Sequence, residues 1–220
     1  DRLGKIKLAG HMADGHQLKQ GVQISKDGYW PMFSPLYKEA ATVNGKAIVI
    51  TKGMAMGWLE LADHPVTGNK APKGEIHWIN TGWTNTAYAA GFTNSAEVVG
   101  SRWAFNPLQL ESALTNIVRV NVDFLGGEIG TGFSATYDVS PKTTFVVIKG
   151  DPTITYPNLV KTALGAKTGL FKGTFVHPVS TAVTKFFGVM LQDEGYGEGF
   201  FMGTNVGGKV EVSDAAAINQ

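Results

Sequence analysis

Cysteine is absent from all 220 residues. That excludes structural disulfides, thiolate metal sites, covalent haem attachment and a cysteine nucleophile. An excess of charge of one sign is also missing. Nineteen basic residues against eighteen acidic leave a formal net charge of +1, which supplies no electrostatic footprint for nucleic acid or an anionic membrane. No run approaches the roughly 20 apolar residues of a membrane-spanning helix, and no stretch carries convincing 3.6-residue helical periodicity. There is no Pro- or Ser-rich linker. One all-β domain over 1–213 is therefore expected, with two related halves, about 1–107 and 108–213, as the alternative and 214–220 as a tail or linker. The chain opens at Asp1 without a basic n-region or apolar h-region. Any signal peptide is thus removed or lies upstream, and the chain equally reads as a segment of something longer.

What is present is glycine, at 28 residues, with 10% aromatic and 17% charged residues. That mixture suits a sheet protein rich in turns. Residues 169–213 organise the rest and read as four short strands of a meander. Phe171, Gly173 and Phe175 share one face, with Lys172 and Thr174 on the other. Lys185, Phe187, Val189 and Leu191 alternate with Phe186, Gly188 and Met190, so both faces of that strand are apolar. Such a strand needs cover on both sides, or a curved sheet closing on itself. Gly173 and Gly188 inside strand patterns signal close backbone approach, a bulge or a sharp bend.

Earlier segments repeat the theme. Short strands are expected around Ile6 and Leu8, around 18–24, and from Tyr29, where Pro31 and Pro35 imply an edge or broken strand. Others are expected at 46–50, 54–61, 75–80, 96–105 and 118–124, with a long polar loop over 64–74. Phe145 to Ile148 reads as a strand buried on both faces. Residues 108–114 read as a helical turn or a connector. The pattern G-V-x-[IL] followed by acidic-Gly-Tyr occurs at 21–29 and again at 188–196. It reads as an internal duplication of a hairpin unit, with chance reuse of turn residues as the competitor. The fold class is all-β: an antiparallel barrel or large sandwich built from meanders and hairpins.

Several segments share a recognisable order: D-G-Y-W-P-M-F-S-P-L-Y (27–37), G-W-L (57–59), G-F-T-N (91–94), V-G-S-R (99–102) and F-x-G-V-x-L-Q…G-x-F-x-G-T-N (186–205). They resemble a recurrent all-β module of large secreted or surface-anchored bacterial proteins. The tract 37–46 departs from that pattern in lacking its Gly-rich hairpin. The resemblance implies a bacterial, extracellular or cell-surface, non-catalytic accessory domain whose partners are neighbouring domains or subunits.

Catalytic motifs are not legible: no G-x-S-x-G and no Ser-x-x-Lys occur, and Asp123, Glu128 and Asp138 are only generic candidates for a hydrolytic carboxylate pair. Glu75 and His77 are the one i, i+2 pair suited to a metal, and no third ligand accompanies them, so no metal or cofactor is expected. The binding candidate is the aromatic, amide-rich segment holding Trp78, Asn80, Trp83, Asn85, Tyr88, Phe92 and Asn94. Aromatic planes stack on sugar rings while amides bond hydroxyls, so a glycan fits. The same residues also anchor protein interfaces or simply cover a core. Trp30, Trp58 and Trp103 sit inside strand patterns and read as core. Three functions follow: a structural or protein-interaction module with docking edges around Pro31 and Pro35, a carbohydrate-binding module, and a glycoside hydrolase-like enzyme.

Overall fold

The computed structural model describes residues 3–82, 88–105, 114 and 117–215. The chain is nearly all β, with fourteen strands among these residues, all paired antiparallel. Contacts divide it into two compact units, 1–100 and 101–220, each with its own hydrophobic core.

The first unit holds a two-stranded sheet, β1 (Lys5–His11) with β2 (Gln17–Gln23), and a four-stranded sheet in the order β3 (Tyr29–Val43), β4 (Lys46–Asp63), β5 (Lys70–Asn80), β6 (Phe92–Val99). Trp30, Met32, Leu36, Ala55 and Leu59 on one face of the larger sheet pack with Met12, Leu18, Ile6, Leu8 and Val22 from the β1–β2 layer. Gln20 ties the layers together: its side chain donates to Pro31 O (2.8 Å) and accepts from Trp30 Nε1 (2.9 Å). β3 is an edge strand, as its prolines require.

Several boundaries differ from expectation. β4 runs unbroken across Lys52 and Gly53, because a Cβ at Gly53 would lie 2.2 Å from Ile79 O and 2.5 Å from the Tyr37 ring. Glycine marks close approach there, not a turn. The turn lies instead at Asn44 and Gly45 (φ 51° and 75°), joining Val43 to Lys46 in a type I′ hairpin. The expected loop over 64–74 contracts, since β5 already begins at Lys70. β6 starts at Phe92 and stops at Val99, so the strand expected over 96–105 is displaced. Residues 101–104 bond to a later turn instead: Arg102 N donates to Asp193 Oδ2 (2.9 Å) and Ala104 N to Gln192 Oε1 (2.8 Å).

The second unit is one eight-stranded sheet, curled until nearly closed. Its order is β10 (Lys161–Gly165), β11 (Leu170–Val176), β12 (Val183–Leu191), β13 (Tyr196–Met202), β14 (Gly207–Asp214), β7 (Arg119–Gly126), β8 (Phe133–Val139), β9 (Phe145–Val147). The closing meander is β11 to β14. At the seam between β9 and β10, Tyr137 donates to Val160 O (3.2 Å) and Ile148 N donates to the Tyr156 hydroxyl (2.8 Å). The strands β8 and β10 were not expected, although Phe133, Ala135, Tyr137 and Val139 alternate cleanly with polar residues. Phe145 is buried, yet Val146 on the opposite face and Val147 on the same face are both exposed; β9 is a three-residue edge strand whose cover ends after Phe145. Of the segment 108–114, only Leu114 lies within the described residues, and it is buried.

The two copies of G-V-x-[IL]…acidic-Gly-Tyr share a turn with positive φ at Gly28 and Gly195. Their pairing differs. β12 and β13 pair with each other across the turn, whereas β2 pairs with β1 and β3 with β4.

The barrel interior is filled by phenylalanines laid over glycines of the neighbouring strand. Phe171 pairs with Gly188, Phe186 with Gly173 and Phe201 with Gly208. A Cβ on Gly188 would meet the Phe171 ring at 2.0 Å, and one on Gly208 would meet Phe201 at 2.1 Å. Gly188→Ala should therefore destabilise the second unit by about 1–3 kcal/mol, as over-packing of a filled core does. Gly10→Ala, with nothing within 4 Å, should be nearly neutral. Urea unfolding of the two variants checks this.

Candidate functional site

The structure assembles part of the aromatic segment. Trp78 on β5 faces Asn94 on β6, and Asn80 faces Phe92, so all four share the face that carries the first unit's core. The Trp78 and Phe92 rings meet edge to face at 4.7 Å, and Tyr88 meets Phe92 at 5.3 Å. With Ala89, Ala90, Gly91, Thr93 and Asn94 they line a cavity of about 520 Å³. Asn80 stands apart from that lining. It is 3% exposed, and its amide is used internally, accepting from Gly82 N (2.9 Å) and donating to Tyr88 O (3.4 Å). Its role is to hold the loop. Trp83 and Asn85 lie outside the described residues.

Trp78 is fixed by a buried relay that the sequence does not reveal. Its Nε1 donates to the Tyr37 hydroxyl (2.9 Å), which donates to Asp14 Oδ2 (2.5 Å). The Asp14 side chain is 1% exposed; it also accepts from His16 N (3.0 Å), and His16 Nδ1 lies 3.1 Å from it. Tyr37 reaches inward because its backbone is left-handed (φ 54°), which buries it beside Leu36 in an otherwise alternating strand. Burial, followed by the hydrogen bond to Asp14 and that carboxylate's charge, pushes the Tyr37 phenol well above the ordinary tyrosine value. The phenol is thus a fixed donor, not an acid. Tyr37→Phe removes that donor from a buried carboxylate and the acceptor from an indole N–H. It should cost about 2–3 kcal/mol in thermal or urea unfolding.

The generic carboxylates are each engaged locally. Asp138 pairs with Arg119 (2.9 Å), and Asp123 accepts from Ser134. Glu128 accepts from Asn205 N (2.8 Å) and Asn205 Nδ2 (2.9 Å), linking the turns after β7 and β13. Those bonds, the side-chain amide first, hold the Glu128 carboxyl below the ordinary carboxylate range. A carboxylate with a depressed folded value stabilises fully above its unfolded value, about 4.3. That contribution is lost as pH falls through the lower folded value. Thermal stability of the second unit should therefore decline below about pH 4, and Glu128→Gln should make that acid limb shallower.

His77 Nδ1 lies 2.8 Å from Ser95 Oγ and 3.7 Å from Glu75. Among the described residues, no three His, Asp or Glu side chains gather as a metal site would require. His177 is buried: Nε2 donates to Gly127 O (2.9 Å) while Nδ1 accepts from Val179 and Ser180 N, which fixes a turn.

The largest departure concerns Trp58. Trp30 is core, and Trp103 packs against the barrel core with Nε1 on Ala166 O (2.8 Å). Trp58, expected in the core, is 67% exposed. It lies on the outer face of the four-stranded sheet, directly across from Pro31 and beside the pair Phe33–Met56. Phe33 is 49% exposed, Tyr29 46% and Met56 39%. Comparison of the chain with protein families, with curated proteins and with solved structures finds no match.

Proposed function

We propose that this chain is a non-catalytic interaction module of a bacterial extracellular or surface protein, docking a neighbouring domain or subunit on the outer face of β3 and β4. The observation that carries this reading is the exposed cluster of Tyr29, Phe33, Met56 and Trp58. Aromatic residues and methionine are the types enriched at protein interfaces, and a contiguous apolar patch on a sheet is costly to leave in water. Pro31 and Pro35 extend the cluster's flat apolar surface along β3, while Glu60, Glu75 and His77 border it across the strands. An apolar centre with a polar border suits a protein surface. The motif order, which resembles that of a module of secreted bacterial proteins, is what favours this location.

A second reading, glycan binding, rests on the cavity lined by Trp78, Tyr88, Phe92 and Asn94. It is the weaker one, because these rings present their edges and faces to each other.

A photo-crosslinking side chain at position 56 should capture one discrete neighbouring polypeptide from the surface fraction of the producing cell. Trp58→Ala should cut that capture by about tenfold or more with an unchanged melting temperature. Capture equal to that from position 66, an exposed turn, overturns the reading, as does capture that Trp58→Ala leaves intact. Binding on a glycan array that vanishes in Tyr88→Ala would favour the cavity instead.

A further inference from the structure

β3 and β4 continue beyond the rest of their sheet as a two-stranded arm, residues 38–51. β5 pairs with β4 only from Gly53 onward, where Gly53 meets Asn80. Beyond that point the chain leaves, and Thr81 N and Oγ1 both donate to Lys52 O (each 2.7 Å). Of residues 38–51, all but Ala41 are exposed. Ile48 is 40% exposed, Ile50 37%, Val49 66% and Val43 48%. A hairpin with both faces in water is marginal by itself. Among the described residues, no strand pairs with its outer β4 edge.

The direction of that edge can be read from its hairpin. Val43 and Lys46 close the two-residue turn as its last bonded pair, so the N–H and C=O of Lys46, and by alternation those of Ile48 and Ile50, serve the ladder with β3. Those of Ala47, Val49 and Thr51 turn to the open side. The ladder skips the pair Tyr37–Lys52, where β3 is left-handed, and beyond that break the other parity of β4 faces β5. The edge therefore offers a row of main-chain groups interrupted by no proline, in the line β5 has vacated.

We propose that two copies of the chain pair through this edge, antiparallel, about a two-fold axis at Ile48. In that register Ile48 faces Ile48 of the second copy, Ala47 faces Val49, and Lys46 faces Ile50. Charge selects it over the adjacent register: an axis at Val49 sets Lys46 against Lys52 of the second copy, and like charges directly opposite are unfavourable. With the axis at Ile48, Glu39, which faces Ile50 within the arm, lies in one cross-strand row with Lys46 of the second copy. Opposite charges then flank Ile50 on the same face. Thr81 bounds the pairing at Lys52, and Asn44 and Gly45 bound it at the other end. The result is a closed, isologous four-stranded arm sheet. It extends the docking reading to a named partner, but it uses the edge of β4 and not the face around Trp58.

Sedimentation equilibrium of the intact chain should show a reversible dimer. Ile48→Lys and Ile48→Glu should each weaken it by roughly tenfold or more, since each sets like charges face to face and removes two apolar side chains. An equimolar mixture of the two variants should recover association, as a heterodimer by native mass spectrometry. That recovery also shows that both variants are folded. Val66→Lys, on an exposed turn, and Trp58→Ala should leave the dimer unchanged, which separates this test from that of the outer face. A chain that stays monomeric at every concentration overturns the proposal and leaves the edge to a foreign strand. A dimer indifferent to Ile48→Lys, or a mixture without recovery, overturns it too.

Discussion

The second unit depends on phenylalanine rings lying where a neighbouring strand has no side chain. An eight-stranded sheet closing on itself leaves an interior that side chains must fill without overlap. Phe171, Phe186 and Phe201 each lie over a glycine directly opposite, at Gly188, Gly173 and Gly208. Strand pairs carry the arrangement in both directions: β11 gives a ring to β12 and receives one back. Phe124 and Phe175 complete the stack, with centroids 5.0 Å from each other and from Phe186 and Phe201 respectively. A one-residue slip would set rings against polar outer positions, so the pairing also fixes register.

The first unit is governed by cover on one face. β1 and β2 supply a lid for one side of the four-stranded sheet, and the chain devotes its polar bonding to attaching it. Gln20 satisfies Trp30 and Pro31, while Asp14, in the turn after β1, takes the Tyr37 hydroxyl. The left-handed backbone at Tyr37 is strained for a bulky residue. It persists because that inversion lets one phenol serve a buried carboxylate and an indole together.

Much of the barrel was legible in the sequence because its signals are local. Alternation defines β7 and β11 to β14, and glycine inside an apolar alternation marks the close approach of rings at Gly173 and Gly188. The edge position of β3 follows from Pro31 and Pro35. What was illegible depends on which face finds cover. β4 carries apolar residues at both parities, so periodicity could not say that Leu59 is inside and Trp58 outside. The run at Phe145 to Val147 is apolar throughout, and only the topology makes β9 an edge. In the candidate site, the grouping of Trp78, Tyr88 and Phe92 was legible from composition. The internal use of Asn80 and the relay to Asp14 were not, since they join residues far apart in sequence through the inverted Tyr37. The hairpin at Asn44 and Gly45 was missed: the tract 37–46 read as lacking one, and the strand break was expected between Ile50 and Met54.

The outer face of the four-stranded sheet divides along its own middle. On β5 and β6 it follows the usual rule for a solvated antiparallel sheet over most of its length, presenting Glu75, His77, Thr93, Ser95 and Glu97 before the exposed Val99 at the end of β6. On β3 and β4 it does not, presenting Tyr29, Phe33, Met56 and Trp58. A general tolerance for exposed apolar residues would scatter them over all four strands. Their concentration on two adjacent strands calls for a cause that acts mainly on that half. Cover from another polypeptide is such a cause. The polar half of the same face marks where that cover ends.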